Sequence, residues 1–195
     1  DNDLIAYKLE GFLFPATYDW EENMAPKEVA DDMLAAFDDR ITDDMKKFCT
    51  DHNMTVYQLI TLVSVVQKEA LGKTSAKYIT SVFMNRLDQG MKLQSDVTYF
   101  YAKKLRDNYG FSQQVYDAYY TYNCKGLPAG PIANSGSDIV ESAINYPKTD
   151  YMYFFSDLQK EFHYLRHQGD ALLPDLPLGD ADDVLAVHRD GAGVG

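Results

Sequence analysis

Apolar positions are most concentrated between residues 55 and 69, where they leave hardly any polar face. A helix that is apolar on all sides is buried by its neighbours, so this run predicts a helix at the centre of the fold. Thr55 suits the N-cap of that helix, because its side-chain oxygen can accept from the first free backbone N–H groups. Glu69 ends the run, and Gly72 follows as a stop. The apolar members are Tyr57, Leu59, Ile60, Leu62, Val63, Val65 and Val66.

Apolar residues at helical spacing also predict helices on either side of this run. Pro26 suits a first helical position, and Gly90 suits the residue beyond a helix end. Asp96 is the expected N-cap of the helix that follows Gly90. Asp138, with Glu141 three residues later, has the spacing of a capping box. The helices predicted in this way cover residues 26–37, 41–49, 75–89, 97–105 and 138–145.

Two short stretches near the C-terminal end, residues 151–155 and 162–166, are rich in strand-forming residues and are joined by a polar link. This arrangement predicts a β-hairpin. The predicted fold is therefore α+β, mainly helical, with a small antiparallel sheet near the C-terminal part. Composition changes at Gly169, after which the chain has no Lys and no aromatic residue. We expect one domain over residues 1–168 and a flexible or loosely docked tail over residues 169–195.

The chain of 195 residues carries a formal net charge of −12. Nucleic acids and anionic lipid surfaces are bound by clustered Lys and Arg, so this charge argues against both partners. It sets no limit on neutral or mixed polymers such as glycans. The 15 Tyr and 10 Phe suit either a thick core or stacking against sugar rings. No apolar run reaches the length that a membrane-spanning helix needs.

Metal and disulfide sites find little support in the sequence. Cys49 and Cys124 have no zinc-ligand spacing, and two separate thiols fit better than one disulfide. His163 and His167 match H-x-x-x-H, but their flanks suit a strand and only Glu161 could supply an acidic third ligand. The prediction is that the protein uses no metal and no cofactor.

Glu69 is the candidate with the most distinctive chemistry. It closes an apolar helix, and a helix C-terminus carries partial negative charge. Desolvation and that dipole both raise the pKa of a carboxyl group, which would keep Glu69 protonated near neutral pH as a general acid. Such an acid suits the cleavage of a glycosidic bond. The alternative is a solvated glutamate that pairs with Lys68 or Lys73.

A group of polar residues follows the apolar helix and could bind sugar hydroxyls and amides. Asn85 and Arg86 end a predicted helix, where Arg86 could equally satisfy helix-end carbonyls. Gln94, Asp96 and Thr98 alternate, so an extended backbone would place them on one face. The N-cap role of Asp96 leaves one carboxylate oxygen free, so both of its roles can coexist.

Two further features carry weaker signals. Glu10 is a second carboxylate in an aromatic, Pro-containing setting, and it could complete an acid pair with Glu69. Tyr119, Tyr120 and Tyr122 precede a loop rich in Gly and Pro. These rings could form a platform for sugars or could simply pack in the core.

Taken in order, these segments resemble the catalytic domain of the endolytic murein transglycosylases, the MltG or YceG-like family. Several separate motifs in the same order make the resemblance far more specific than any one of them. It extends over roughly residues 9–168. The matching segments are residues 9–18, 63–70, 81–98, 121–122, 125–136, 143–154 and 163–164.

The resemblance implies an enzyme that cuts within peptidoglycan glycan strands and leaves 1,6-anhydro ends, with Glu69 as the catalytic acid and base. The first acid of the family's motif is Gln67 in this chain, and Val97 stands where the family often has Pro. The change at position 67 removes a neighbouring charge that could have raised the pKa of Glu69 further. The residues expected to bind the strand are Glu10, Asn85, Gln94, Asp96, Thr98, Tyr119, Tyr122 and Asn134.

The resemblance also implies a place in the cell. Family members carry an N-terminal membrane helix and usually a small LysM-like domain, so we expect a single-pass anchor that is absent here and a catalytic domain on the extracytoplasmic side. Peptidoglycan glycan strands are the expected partner, and peptidoglycan synthases are a further partner that the sequence leaves open. Two other functions also stay open: a lysozyme-like hydrolase in which Glu10 or Asp96 activates water, and a glycan-binding module without turnover.

Overall fold

Seven helices and then a β-hairpin follow one another along the described part of the chain, which covers residues 2–167 and 169–170. This structure, a computed structural model, confirms the prediction of a mainly helical α+β fold with a small antiparallel sheet. The helices are α1 (Pro26–Asp38), α2 (Asp43–Asp51), α3 (Val56–Glu69), α4 (Lys73–Asp88), α5 (Asp96–Tyr109), α6 (Gln113–Tyr119) and α7 (Ser137–Ile144). The strands β1 (Tyr153–Ser156) and β2 (Phe162–Leu165) pair antiparallel, with Tyr153 opposite Leu165.

Helix α3 forms the centre of the core, as its apolar sequence predicts. Its residues 59–66 are all buried, and the helix contacts α2, α4, α5 and α7. The Thr55 hydroxyl accepts from the backbone N–H of Gln58 at 3.1 Å, and the Gln58 side chain accepts from the N–H of Thr55 at 2.8 Å. These reciprocal bonds satisfy two free donors at the helix start, so the predicted cap is confirmed. Glu69 is the last residue of the helix.

Two side chains at the end of α4 attach the segment that leads into the hairpin. Asn85 Nδ2 donates to the carbonyls of Thr149 at 2.9 Å and Tyr151 at 2.8 Å. Arg86, which is buried, donates through Nε to the Met152 carbonyl at 2.7 Å. Arg86 therefore does satisfy carbonyls, but those of other segments rather than those of its own helix end.

The start of α5 differs from the prediction. Ser95, and not Asp96, is the N-cap residue, and Asp96 is the first residue of the helix. The Ser95 hydroxyl makes no capping bond, because it donates to a side chain outside the helix. Gln94 has a left-handed backbone with φ of 51°, and the helix begins two residues later. The predicted extended alternation of residues 94–98 is therefore wrong.

The N-terminal segment (residues 9–18) packs against the Gly/Pro loop (residues 126–136). Asn134 Oδ1 accepts from the N–H of Gly11 at 2.7 Å. Gly11 has φ of 88°, and a Cβ built on it would lie 2.6 Å from side-chain atoms of Pro131. Glycine is required here for both reasons, because an L side chain rarely adopts that φ and would have no room.

Some predictions concern residues that the structure leaves undescribed. Residue 168 and residues 171–195 lie outside the described residues, so the domain boundary and the tail stay predictions. Cys49 and Cys124 are free thiols, which confirms the expectation of two separate cysteines. Among the described residues, no helix is both long and apolar enough to span a membrane.

Candidate active site

Glu69 lies at the end of α3, and its side chain is only partly exposed. One of its oxygens, Oε1, accepts a hydrogen bond from the hydroxyl of Ser95. Lys73, one of the two partners proposed for a solvated Glu69, pairs instead with Asp138 at 3.1 Å. The start of a neighbouring helix therefore holds the carboxylate in a defined position.

A second carboxylate, Asp96, lies in the same neighbourhood and is fixed by a tyrosine. The Tyr122 hydroxyl donates to Asp96 Oδ1 at 2.7 Å. Burial raises the pKa of Tyr122, and so do the bond to Asp96 and nearby charges that include Glu69. Tyr122 therefore stays a neutral donor at physiological pH. The bond of Ser95 to Glu69 and the bond of Tyr122 to the adjacent Asp96 bring these side chains together at the start of α5.

The residue before Tyr122 fixes the relative position of these groups. Thr121 Oγ1 accepts from the backbone N–H of Ser95 at 3.0 Å, and the Thr121 carbonyl accepts from the N–H of Gln94 at 3.2 Å. The Thr121 hydroxyl also pairs with that of Thr98 at 2.8 Å. Thr98 has no exposed surface, so its burial rules out the predicted contact with a substrate. It belongs to the framework beneath the site.

Gln94 lies at the surface beside the site. The buried Arg86 side chain stabilises the turn of residues 92–94 that carries it. Arg86 Nη1 donates to Gln94 Oε1 at 3.3 Å and to the carbonyls of Lys92 at 3.2 Å and Leu93 at 2.9 Å. Burial lowers the pKa of Arg86, and its guanidinium stacks 4.9 Å from the ring centre of Tyr153. The buried cation therefore supports the turn that presents Gln94.

Three other residues were predicted to bind sugar, but their polar groups make hydrogen bonds within the protein instead. Asn85 uses its amide for the two carbonyl bonds described above. Tyr119 is fully buried and its hydroxyl accepts from the N–H of Ala6 at 3.2 Å, so the predicted sugar platform loses this ring. Asn134 uses its side-chain oxygen to hold the N-terminal segment.

A cleft with a volume of about 1090 Å³ lies between the N-terminal residues 6–13, helix α5 and the loop residues 132–134. Lys68 and Val97 line it, and they are the chain neighbours of Glu69 and Asp96. Glu69 and Asp96 are not themselves among the residues that line it, so the cleft reaches their chain neighbours and not the two carboxylates. The predicted site residues that line it are Glu10 and Asn134.

Glu10 is a partly buried carboxyl group within this cleft. Burial raises the pKa of Glu10, while the hydroxyl of Tyr101 and the charges of Lys68 and Lys104 oppose that rise. The Tyr101 hydroxyl is itself buried, and it approaches Glu10 outside the geometry of a regular hydrogen bond. The cleft thus presents two cations to one carboxyl group whose charged form is disfavoured by burial.

Two residues of this region, Ser95 and Lys104, are not among the predicted site residues. Ser95 reaches Glu69 across 26 residues of chain, and no local pattern indicates that contact. Lys104 could have been found, because it follows Val97 and Phe100 at helical spacing on a helix that the sequence predicts. Val97, Phe100 and Lys104 line the same cleft.

The H-x-x-x-H pattern lies on the hairpin and the segment after it, as its strand-like flanks predict. His163 is on β2 and pairs with Asp157 at 2.9 Å. Within the part of the chain that the structure describes, no group of three or more His, Cys, Asp or Glu side chains is placed to hold a metal ion.

The chain is similar to known proteins over most of its length. A family model described as the YceG-like family matches residues 1–169. A protein named endolytic murein transglycosylase from Streptococcus pneumoniae serotype 2 (strain D39 / NCTC 7466) is 36% identical over 172 residues, which cover 84% of this chain and 31% of that protein. A protein of the same name from Bacillus subtilis (strain 168) is 37% identical over 164 residues, which cover 80% of this chain and 44% of that protein.

A solved structure shares the fold. The crystal structure of a yceG-like protein from Listeria monocytogenes matches with a TM-score of 0.72 and 31% identity, over 88% of this chain and 56% of that chain. The present chain spans less than half the length of the two curated relatives described above, 31% and 44%. Because the family model covers nearly all of the described residues, this chain belongs to the YceG-like family.

Proposed function

We propose that the protein is a lytic transglycosylase that cuts within the glycan strands of peptidoglycan, the activity for which its curated relatives are named. The observation that carries this proposal is the placement of Glu69. A partly buried carboxyl group at the end of a buried helix is held by the Ser95 hydroxyl near Asp96, and its chain neighbour Lys68 lines an open cleft. A carboxyl group held in a defined position, with a cleft within a residue of it along the chain, is the minimum that acid-catalysed glycoside cleavage requires.

The proposed reaction needs one carboxyl group in two roles. Glu69, protonated, donates its proton to the oxygen of the β-1,4 bond between N-acetylmuramic acid and N-acetylglucosamine, and the bond from C1 to that oxygen breaks. The ionised Glu69 then takes the proton of the C6 hydroxyl of the muramic sugar, whose oxygen forms a bond to C1. The product is a 1,6-anhydro end, and Glu69 regains its proton. Because the nucleophile belongs to the substrate, its proximity contributes several kcal/mol, up to about 7–11.

Neighbouring residues would hold the strand during this reaction. Gln94 is exposed beside the site, and Asp96 is fixed by Tyr122. The rings of Tyr120 and Tyr122, both partly exposed, stack at 5.3 Å and offer an aromatic surface to a sugar.

The same proposal implies that the protein acts outside the cytoplasmic membrane, where its substrate is. Peptidoglycan synthases, which make these strands, stay a predicted partner.

The first test replaces the proposed acid. We expect Glu69→Gln to lower kcat on purified peptidoglycan by about a thousandfold, because an amide cannot donate and recover the proton. The measurement is mass spectrometry of the products with anhydro-muramic ends that the parent protein and the variant release from peptidoglycan. Glu22→Gln is the control, since Glu22 is an exposed glutamate outside the site. Full anhydro-product formation by Glu69→Gln would remove Glu69 from the catalytic role.

The same spectra distinguish a second candidate function. Asp96 is a carboxylate in the neighbourhood of Glu69, and such a group could activate a water in place of the C6 hydroxyl. The product ends would then be heavier than the anhydro ends by one water. Reducing ends from the parent protein, lost on Asp96→Asn, would establish this hydrolytic reaction instead. Binding of strands without any cleavage would indicate a glycan-binding module.

A further inference from the structure

The residues that line the cleft carry the opposite net charge to the chain as a whole. The protein has 30 acidic and 18 basic residues. Among the residues that line the cleft, however, the basic ones are Lys8, Lys68 and Lys104, and the acidic one is Glu10. A cleft that concentrates positive charge on an acidic protein attracts anions by its local field, whatever the net charge.

Two of these lysines are placed by the core helices. Lys68 is on the last turn of α3, next to the proposed catalytic residue. Lys104 lies one turn beyond Phe100 on the face of α5 that lines the cleft, and its Nζ is 5.6 Å from the centre of the Tyr109 ring. Both lysines are exposed, so their ammonium groups can reach a ligand in the cleft.

Glu10 does not cancel this positive charge. Lys68 and Lys104 both act on Glu10 electrostatically, so two cations face one carboxyl group. Burial raises the pKa of Glu10 and thereby disfavours its negative charge. Among the residues that line the cleft, positive charge is therefore in surplus.

The cleft also exposes aromatic surface beside its charges. Tyr7 and Phe100 are each 40% exposed, and Tyr109 is 56% exposed. All three line the cleft, and the Tyr7 and Tyr109 rings meet edge to face at 6.5 Å. A matching ligand would combine anionic groups with small apolar groups.

We propose that this cleft binds the carboxylates of the stem peptides that hang from the muramic sugars of the strand. The proposal rests on the function proposed above, because it takes the glycan strand as the substrate at Glu69. The sugar backbone is neutral where its lactyl groups are joined to peptide, whereas the stem peptides carry free carboxylates and alanine methyl groups. Lys68 and Lys104 would pair with those carboxylates, and the exposed rings would contact the apolar side chains.

The test compares one strand length in three chemical forms. The first form has native stem peptides, the second has the same peptides with their carboxylates converted to amides, and the third has the peptides removed so that only lactyl carboxylates remain. The proteins are the parent chain, the double variant Lys68→Gln/Lys104→Gln, and the control Lys103→Gln. Lys103 is exposed on α5 next to Lys104, but it does not line the cleft.

The parent chain is expected to show a kcat/KM about tenfold higher on native strands than on amidated strands, since two exposed ion pairs contribute at this level. Strands without stem peptides should react as poorly as amidated strands. The double variant should lose this preference, and Lys103→Gln should keep it. High salt should reduce the preference of the parent chain, because salt screens exposed charges.

Failure of this proposal can be told apart from failure of the proposed function by measuring binding in the Glu69→Gln variant. Its Kd for native and amidated strands reports on the cleft even if no cleavage occurs. Equal Kd values for the two forms, or a preference that survives in the double variant, would overturn the stem-peptide site. Tight binding of strands that lack peptides would assign the lysines to the lactyl carboxylate instead. If the parent chain binds native strands selectively but does not cleave them, the stem-peptide site is supported and the proposed enzymatic activity is wrong.

Discussion

At the scale of single residues, one hydroxyl connects two helices at the proposed active site. Ser95 stands at the N-cap of α5, where serine usually binds its own helix, yet its hydroxyl donates to the Glu69 carboxylate. The Thr121 hydroxyl accepts from the N–H of Ser95 and fixes its backbone. Ser95 is therefore a positioning residue, which acts on the reaction through the orientation of Glu69.

Removal of this hydroxyl should impair catalysis more than binding. We expect Ser95→Ala to lower kcat about tenfold, the effect of one lost hydrogen bond to a charged group, with little change in KM. Steady-state kinetics on glycan strands measures both constants. Ser142→Ala is the matched control, because Ser142 has the same 3% exposure as Ser95 and donates to a backbone carbonyl on α7. An equal loss of kcat in both variants would contradict the positioning role.

Residue identities predict the site only where the signal is local. Glu69 can be predicted, because an apolar run that ends in a carboxylate is visible in the sequence. Thr98 and Tyr119 are misassigned, because their polar groups look available in the sequence but are buried among distant partners. Burial of a threonine or tyrosine depends on segments far along the chain, which composition cannot show.

At the scale of elements, α5 serves both the proposed active site and the cleft. Its first residue, Asp96, lies beside Glu69, while its face with Phe100 and Lys104 lines the cleft. The sequence predicts this helix, but it does not predict the left-handed turn at Gln94 that precedes it. That turn is held by bonds to Thr121 and Arg86, which the local pattern does not contain.

The contact between the N-terminal segment and the Gly/Pro loop should tolerate no side chain at Gly11. Gly11→Ala is expected to destabilise the protein by about 3 kcal/mol, because the new Cβ meets both Pro131 and Ile60 and the backbone is left-handed. Gly110→Ala should cost only about 1 kcal/mol, since its φ of 72° is similarly strained but no atom lies within 4 Å.

Urea unfolding of the three proteins measures both costs, and their difference isolates the steric part. If the two variants lose the same stability, close packing at Gly11 is not a determinant of the fold.

At the scale of the whole molecule, the partly buried carboxyl group of Glu10 links stability to pH. Burial raises the pKa of Glu10 above its ordinary 4.5, so the folded protein binds this proton more tightly than the unfolded chain does. The folded state therefore gains stability from Glu10 below pH 4.5 and loses it as pH rises through the raised value. An opposing pull from Lys68 and Lys104 limits the effect.

Glu10→Gln should consequently be more stable than the parent at neutral pH and no more stable in acid. We expect its melting temperature to be about 2 °C higher at pH 7, because the amide is uncharged at every pH, and we expect the gain to vanish below pH 4.5. Thermal melts across this range, with the exposed Glu22→Gln as control, provide the measurement. A gain that does not depend on pH would show that ionisation of Glu10 is not its source.

The architecture as a whole is easier to predict from the sequence than the way its parts meet. Helical periodicity indicates α3 and α4, and strand-forming residues indicate the hairpin, because these signals come from neighbouring positions. The cleft is built by segments far apart along the chain, as the shared lining by Glu10 and Asn134 shows. Sequence patterns describe each wall but not the space between them.

The bond from Asn134 to Gly11 spans 123 residues. During synthesis, Gly11 leaves the ribosome on the order of ten seconds before that asparagine exists, at the usual pace of translation. Until then this bond is missing, although the central helices can already have formed and the Tyr119 hydroxyl can already hold the N–H of Ala6. The nascent chain can thus form α1 to α6 before the loop residues 132–134 that complete the cleft, so a copy stalled before residue 134 is expected to be helical and inactive.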